Sequence, residues 1–365
     1  MGLTDVRYRG TIGDRAVLRW FRPKPTSGET IDVFQAFRDV RKILILPNDR
    51  VGGLFIGAPC CNLLRQTYPQ AQVDLFVDEK KVTIARQIPF VDRVVTGSLD
   101  AAVWTASFKQ VADRLQQEQY DLCVCLGPDC SFRLAHLCGS SGARLRVGFQ
   151  REGLEPFNVE VVQKSRDVYE GEQYRSMLRL FGIEGEPNFK WAIARDNAPK
   201  VRKRYLGEDH GNVQVVAVDL AGGEGDGLSV RQLDSLVGRI IDQGAVPVLF
   251  FSLADKKKVG YLSRTHGGRI RPFDQSDLPG VAALLEGCAA LVSCNTELLH
   301  LGLALEIPVI AILEEDPRRW IASEHSLVKA IRVRELKQVD LGEIMQGVEA
   351  AIQARRGRTV AGPEI

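Results

Sequence analysis

Residues 289–313, AALVSCNTELLHLGLALEIPVIAIL, decide the fold. An apolar strand at 289–293 breaks at Cys294-Asn295-Thr296, a helix carrying His300 follows, and Pro308 opens a second apolar strand. In such a strand–loop–helix–strand unit the helix's unpaired N–H groups and positive dipole end face whatever lies above the strand, which suits a phosphate or diphosphate. His300, one turn inside the helix, is placed to add a donor to the same anion. The first expectation is a ligand that carries a diphosphate.

Working outward, the same alternation fills most of the chain. Apolar strands are expected at 42–46, 71–77, 92–95 and 120–126, with helices from the glycine turn after 46 to Gln66 and over 101–118. Residues 144–148 and 160–163 complete this half. A polar stretch rich in proline and charge, 184–212, reads as a linker with one helix around 199–206. The pattern then restarts with a strand at 213–220, a glycine-rich loop at 221–227, and Ser229 with Gln232 as a capping box opening a helix to Gln243. Further strands are expected at 246–251, 269–272, 291–293, 309–313 and 330–333, and an amphipathic helix at 341–355 closes the chain. Near-continuously apolar strands alternating with helices imply parallel sheets covered on both faces. The fold class is α/β: two Rossmann-like doubly wound domains facing each other across a cleft, with ligands at the carboxyl ends of the strands. The divisions are an N-terminal arm at 1–41, a first domain at 42–190, a linker at 191–212 and a second domain at 213–365.

Composition narrows the function. At 365 residues the chain is long enough for two cores, and its net charge of +2 gives bulk electrostatics no reason to seek nucleic acid. No apolar run reaches the length of a membrane span and no secretion signal is visible, so a cytoplasmic location is expected. In the arm, Arg15, Arg19, Arg22 and Lys24 interleave with Val17, Leu18, Trp20 and Phe21. This run reads as a segment packed on its own domain or, more sharply, as an interfacial helix on anionic headgroups, giving peripheral contact with the inner membrane. Of the eight cysteines, Cys123, Cys125, Cys288 and Cys294 fall in or beside apolar strands. No ligand-spaced pairs or histidines accompany them, so core packing is expected and no metal.

Three landmarks then line up: KILILPNDRVGGLFIGAP at 42–59, YDLCVCLGPDCSFRLAHLCGSSGARLRVGF at 120–149 and SCNTELLHLGLALEIPVIAI at 293–312 with Glu315-Asp316-Pro317 after it. In this order and spacing the chain resembles glycosyltransferase family 9, the family of the ADP-heptose:lipopolysaccharide heptosyltransferases, from about Lys42 to the C-terminal helix. The resemblance implies a GT-B fold, an acceptor-binding first domain and a second domain that binds a nucleotide-diphospho-sugar. It implies inverting, metal-independent transfer of a heptose or related sugar from a donor such as ADP-heptose to a cell-envelope glycan or glycolipid such as lipopolysaccharide core, with no cofactor. A carboxylate would remove the acceptor hydroxyl's proton, and basic groups with a helix N-terminus would stabilise the departing diphosphate.

Carried onto this chain, the acceptor side comprises Gly52, Gly53, Arg133 and Arg146, with Arg144 and Arg151 nearby. The family's Gly-Asp turn, whose Asp is the base, reads Gly52-Gly53, so Asp49 in the same loop becomes the candidate base. Glu315 and Asp316 are second choices. The donor side comprises Gly222 and Gly223, whose backbone amides can wrap a phosphate, and Asn295, Thr296, Glu297 and His300. The family's Asp-Thr-Gly reads Asn295-Thr296-Glu297. Asn295 is an expected N-cap, whereas Glu297 sets a carboxylate against a diphosphate in the first turn. His300 has two readings, donor contact or satisfied core histidine. Gly53, Asn295 and Glu297 together keep a second function open, a catalytically degenerate relative that binds a glycan, nucleotide or partner. A nicotinamide-dependent oxidoreductase is disfavoured because no G-x-G-x-x-G follows the first strand.

Overall fold

The computed structural model describes residues 31–50, 52–128, 131–150, 156–162, 168–185, 191, 198–207, 213–221, 227–322 and 327–360. The basic-aromatic run at 15–25, Arg151, Gly222 and Gly223 therefore lie outside the described residues. The chain divides into two units, Met1–Phe189 and Lys190–Ile365.

The first unit contains α1 (Val33–Arg38), β1 (Lys42–Leu46), α2 (Gly53–Thr67), β2 (Gln72–Asp78), α3 (Val82–Ala85), β3 (Arg93–Gly97) and α4 (Ala106–Gln117). It continues with β4 (Leu122–Cys125), α5 (Phe132–Ser140), β5 (Leu145–Phe149), β6 (Val159–Val161) and α6 (Glu170–Arg179). Its strands lie parallel in the order β3-β2-β1-β4-β5-β6. Ile43 to Leu46 and all of β4 are fully buried, as strands covered by helices on both faces must be.

The second unit contains α7 (Ala198–Leu206), β7 (Val215–Asp219), α8 (Val230–Asp242), β8 (Val246–Phe251), α9 (Lys256–His266), β9 (Arg271–Asp274), α10 (Leu278–Leu285) and β10 (Ala290–Ser293). After these come α11 (Glu297–Ala304), β11 (Val309–Leu313), α12 (Pro317–Trp320), β12 (Val328–Arg332) and α13 (Leu341–Val360). The strand order, β12-β11-β10-β7-β8-β9, is again parallel. Each sheet therefore reverses direction beside its first strand, between β1 and β4 and between β7 and β10. Such a switch point opens a crevice at the carboxyl ends of the strands.

The capping box at Ser229 and Gln232 forms as expected and starts α8. Helix α7, which falls within the stretch expected as linker, packs on the second unit: Tyr205 meets Phe273 edge-on, and Arg202 reaches the Ala283 carbonyl and Glu286. Helix α1 packs on the first, with Phe37 stacked on Phe181 and its carbonyl accepting from the Tyr68 hydroxyl. Helix α5 was not foreseen. Ser131 caps it, and Leu134, Leu137 and Cys138 give it a buried stripe at helical spacing.

The amino-terminal edge of the first sheet is closed by charge. Asp74, fully buried, accepts from Tyr120 Oη at 2.7 Å, from Arg93 Nη2 at 2.6 Å and from Gln72 Nε2 at 2.9 Å. Glu118 joins Arg93 and Lys42 to the same group. Burial, then the Asp74 carboxylate, pushes the Tyr120 phenol well above its ordinary value.

The seven described cysteines are all buried. Burial pushes the Cys288 and Cys294 thiols up to about 12, which makes them packing groups rather than nucleophiles. Among the described residues no group of three or more His, Cys, Asp or Glu could hold a metal ion. No described helix is long and apolar enough to cross a membrane.

Candidate functional site

The β1–α2 turn is built around two glycines. Gly52 caps α2 with φ of +73°, a left-handed conformation that L side chains rarely adopt. A Cβ on Gly53 would lie 2.1 Å from the Asn48 carbonyl oxygen. Glycine at 53 is thus demanded by the close return of the backbone onto Asn48, and an aspartate there would force the whole turn to move. The turn is further fixed from beneath. Asn48 is buried, accepts from Arg50 N at 3.1 Å, and donates to Glu170 Oε1, which also accepts from the Tyr174 hydroxyl.

Asp49, half-buried, sits at the mouth of this turn. Its Oδ1 accepts from Ser131 N at 3.1 Å, the amide at the start of α5, and no other hydrogen bond reaches the carboxylate among the described residues. One oxygen therefore anchors the side chain while the other retains its lone pairs. Lys81 Nζ donates to the carbonyls of Asp49 and Arg50 at 3.1 and 2.7 Å, bringing the β2 crossover against the same loop. Arg133 lies on the first turn of α5, close enough to Asp100 to help hold that carboxyl below its usual range after the larger effect of Lys80. Asp49, Gly52, Gly53 and Arg133 are all carried by elements at the carboxyl ends of β1 and β4.

Arg146 is not part of this group. It is 9% exposed, and its guanidinium donates to the carbonyls of Pro156 (3.1 Å) and Ala143 (2.9 Å), tying the β5–β6 connection to the turn before β5. Burial among backbone acceptors gives Arg146 a clamping role in the fold, beside the acceptor contact expected of it. Arg144 is exposed, and its carbonyl accepts from Asn158.

In the second unit the centre of the carboxyl edge is Asp219, the last residue of β7, which the sequence reading passed over. It is 4% exposed. Its Oδ2 accepts from Thr296 Oγ1 at 2.5 Å and Ser293 Oγ at 2.8 Å, and its Oδ1 from Ala221 N at 2.9 Å and Gln275 Nε2 at 3.0 Å. Burial raises its pKa, and the four donors oppose that rise without cancelling it. The N-cap of α11 is Thr296, not Asn295: Thr296 Oγ1 accepts from Leu299 N at 3.3 Å. Both residue types cap well, and the Asp219 contact decides between them by holding the Thr296 hydroxyl in place.

Asn295 instead accepts from His300 Nε2 at 3.1 Å. His300 is 2% exposed, with Trp320 edge-on to its ring at 6.0 Å, and Trp320 Nε1 donates to Glu315 at 3.1 Å. The core-histidine reading describes its packing, and its Nε2 braces the Asn295 side chain. Glu297 occupies the first turn of α11, half-buried. Glu315 and Asp316 are engaged locally by Arg319 and Arg318, and the Arg318 guanidinium lowers Asp316 to about 2. Asp219 and Ser293 left one trace in the sequence, as polar residues ending the apolar strands VVAVD and ALVS. Gln275 left none.

No family model matches the chain. A Haemophilus influenzae protein named "Putative glycosyltransferase" is 23% identical over 303 residues, covering 77% of this chain and 86% of that protein. A glycosyltransferase family 9 structure from Veillonella parvula superposes with a TM-score of 0.73 at 14% identity, covering 86% of this chain and 97% of its own. E. coli ADP-heptose lipopolysaccharide heptosyltransferase II gives 0.71 at 17% identity, with 87% and 99% covered. E. coli heptosyltransferase WaaC with ADP gives 0.65 at 21%, with 86% and 98% covered. The resemblance carried by three motifs extends to the architecture as a whole: this chain is built as the glycosyltransferase family 9 heptosyltransferase structures are, with the α/β fold of the GT-B type.

Proposed function

We propose that the protein is a sugar transferase of the heptosyltransferase type. Its donor is a nucleoside-diphospho-sugar such as ADP-heptose, and its acceptor a hydroxyl of a cell-envelope glycan such as lipopolysaccharide core, met on the cytoplasmic side of the inner membrane. The observation that carries this reading is the half-satisfied carboxylate of Asp49 at the carboxyl edge of the first sheet. In a fold shared with heptosyltransferases, it supplies the proton acceptor that Gly53 cannot.

The reaction follows from the residues. Asp49 takes the proton of the acceptor hydroxyl as its oxygen attacks the anomeric carbon. The bond from that carbon to the diphosphate breaks, and the electron pair leaves with the phosphate oxygen. Backbone N–H groups at the start of α11 and the positive end of that helix receive the developing charge. Attack opposite the leaving group inverts the anomeric centre. Arg133 orients an anionic group of the acceptor, and Asn295, braced by His300, meets the donor sugar.

A second reading is favoured by Glu297, whose carboxylate already answers the positive helix end: a module that binds nucleotide or glycan without transfer. Incubating the protein with ADP-heptose and truncated lipopolysaccharide core, with mass spectrometry of the acceptor, separates the two. Addition of one heptose, lost in Asp49→Ala while ADP binding persists, is the expected result. Saturable ADP binding without any transfer supports the binding module, and the absence of both overturns the donor site.

A further inference from the structure

We infer that Asp219 is the positioning residue of the donor site: its carboxylate fixes the Thr296 hydroxyl and through it the first turn of α11, where the donor's diphosphate binds. This rests on the function proposed above. The four hydrogen bonds to Asp219 come from residues after β7 (Ala221), after β9 (Gln275) and around the β10–α11 turn (Ser293, Thr296). One side chain therefore sets the relation of three crossovers at the point where the strand order reverses. Thr296 Oγ1 accepts from Leu299 N and lies 3.0 Å from Ser293 Oγ, and its shortest contact, 2.5 Å to Asp219 Oδ2, is the one to which its proton is donated.

A helix cap needs no carboxylate beneath it. Ser, Thr or Asn satisfies the orphan amides alone, and burying an acidic group is unfavourable unless every oxygen is engaged. Here both oxygens are engaged twice, so Asp219 has no lone pair directed at a substrate proton, and its contribution is to hold hydroxyls and amides in place. Asparagine keeps the shape but sets an NH2 group against either the two hydroxyls or the Ala221 and Gln275 donors. Whichever way it turns, the Thr296 proton or two N–H groups lose their acceptor.

The test is the affinity of the full-length protein for ADP by isothermal titration, with circular dichroism confirming that each variant is folded. Asp219→Asn and Thr296→Val should each weaken ADP binding about tenfold, the worth of one charge-assisted hydrogen bond. The double variant should be no weaker than either single one, because both break the same link. Thr296→Ser, which retains the hydroxyl, should recover most of the affinity lost in Thr296→Val. ADP affinity in Asp219→Asn equal to the wild type, or losses that multiply in the double variant, would overturn the inference alone. Should Asp219→Asn fail to fold, equal affinities of Thr296→Val and Thr296→Ser overturn it instead. No ADP binding by the wild-type protein overturns the donor reading and the inference with it.

Discussion

The two units share one strand order, yet they treat the carboxylate at their switch point in opposite ways. In the first, Asp49 stands at the mouth of the turn after β1 with one oxygen engaged. In the second, Asp219 ends β7 and lies under the crossover with both oxygens engaged twice. The same topology thus yields one carboxylate with a single oxygen engaged, proposed as the proton acceptor, and one with both oxygens engaged, proposed to hold its neighbours still. Exposure and hydrogen-bond count distinguish the two, which residue type cannot do.

The contrast breaks most visibly at Asp49. Asp49→Ala should lower turnover by about 100-fold to 10,000-fold, the usual worth of a general base, while ADP affinity stays within about twofold of the wild type. Steady-state transfer assays beside titration calorimetry measure both. Equal turnover would move the base elsewhere in the first unit.

Gly53→Asp asks whether the turn can accept the residue that family members carry. With its Cβ 2.1 Å from a backbone oxygen, the variant should lose about 2 kcal/mol of stability in urea unfolding and gain no turnover. A variant that is stable and faster would show the turn to be pliable. Arg146→Met tests the assignment of that residue to structure. Two backbone carbonyls lose their donor, for about 1–2 kcal/mol in the same unfolding experiment, and the acceptor KM should be unchanged.

The smallest effect is a pH dependence that separates the two carboxylates. Asp219 has a folded-state pKa raised by burial, so between its unfolded value of about 3.9 and the raised one the folded chain binds the extra proton. Its contribution to stability is then full below that window and is lost as pH rises through the folded value. Thermal midpoints of wild type and Asp219→Asn should therefore draw together or cross as pH increases from 4 to 7, the variant improving relative to wild type. A difference independent of pH would contradict the burial of Asp219 as a titrating group. Asp316, lowered to about 2 by Arg318, has the opposite sign: its contribution is present above the unfolded value and fades only as pH falls through the folded one.

These particulars also mark what the sequence could tell. Both sheets were legible because parallel strands buried on both faces are continuous apolar runs, as in KILIL and VIAIL. The Ser229 capping box was legible because its two partners are three residues apart. Helix α5 was missed although Ser131, Leu134, Leu137 and Cys138 have the spacing of a capped amphipathic turn, because FRLAHLCGS is only nine residues long. The second site was read one residue off at its cap and without its central acid. Three of the four partners of Asp219 lie 56, 74 and 77 residues away, a distance over which periodicity says nothing. Asp49 was legible as a residue in the right loop, but its half-engaged state depends on Ser131, 82 positions on. His300 stands out as a donor one turn inside the helix and Arg146 as one of a basic cluster, and both are buried by neighbours that no local pattern announces.

The central claim is that the second unit grips a donor's diphosphate at the start of α11. A crystal structure of the protein soaked with ADP addresses it directly. The account predicts phosphate oxygens within about 3 Å of the backbone N–H groups of Glu297 and Leu298, with Thr296 still bonded to Asp219. ADP bound elsewhere, with the Glu297 carboxylate folded over those same amides, would contradict it.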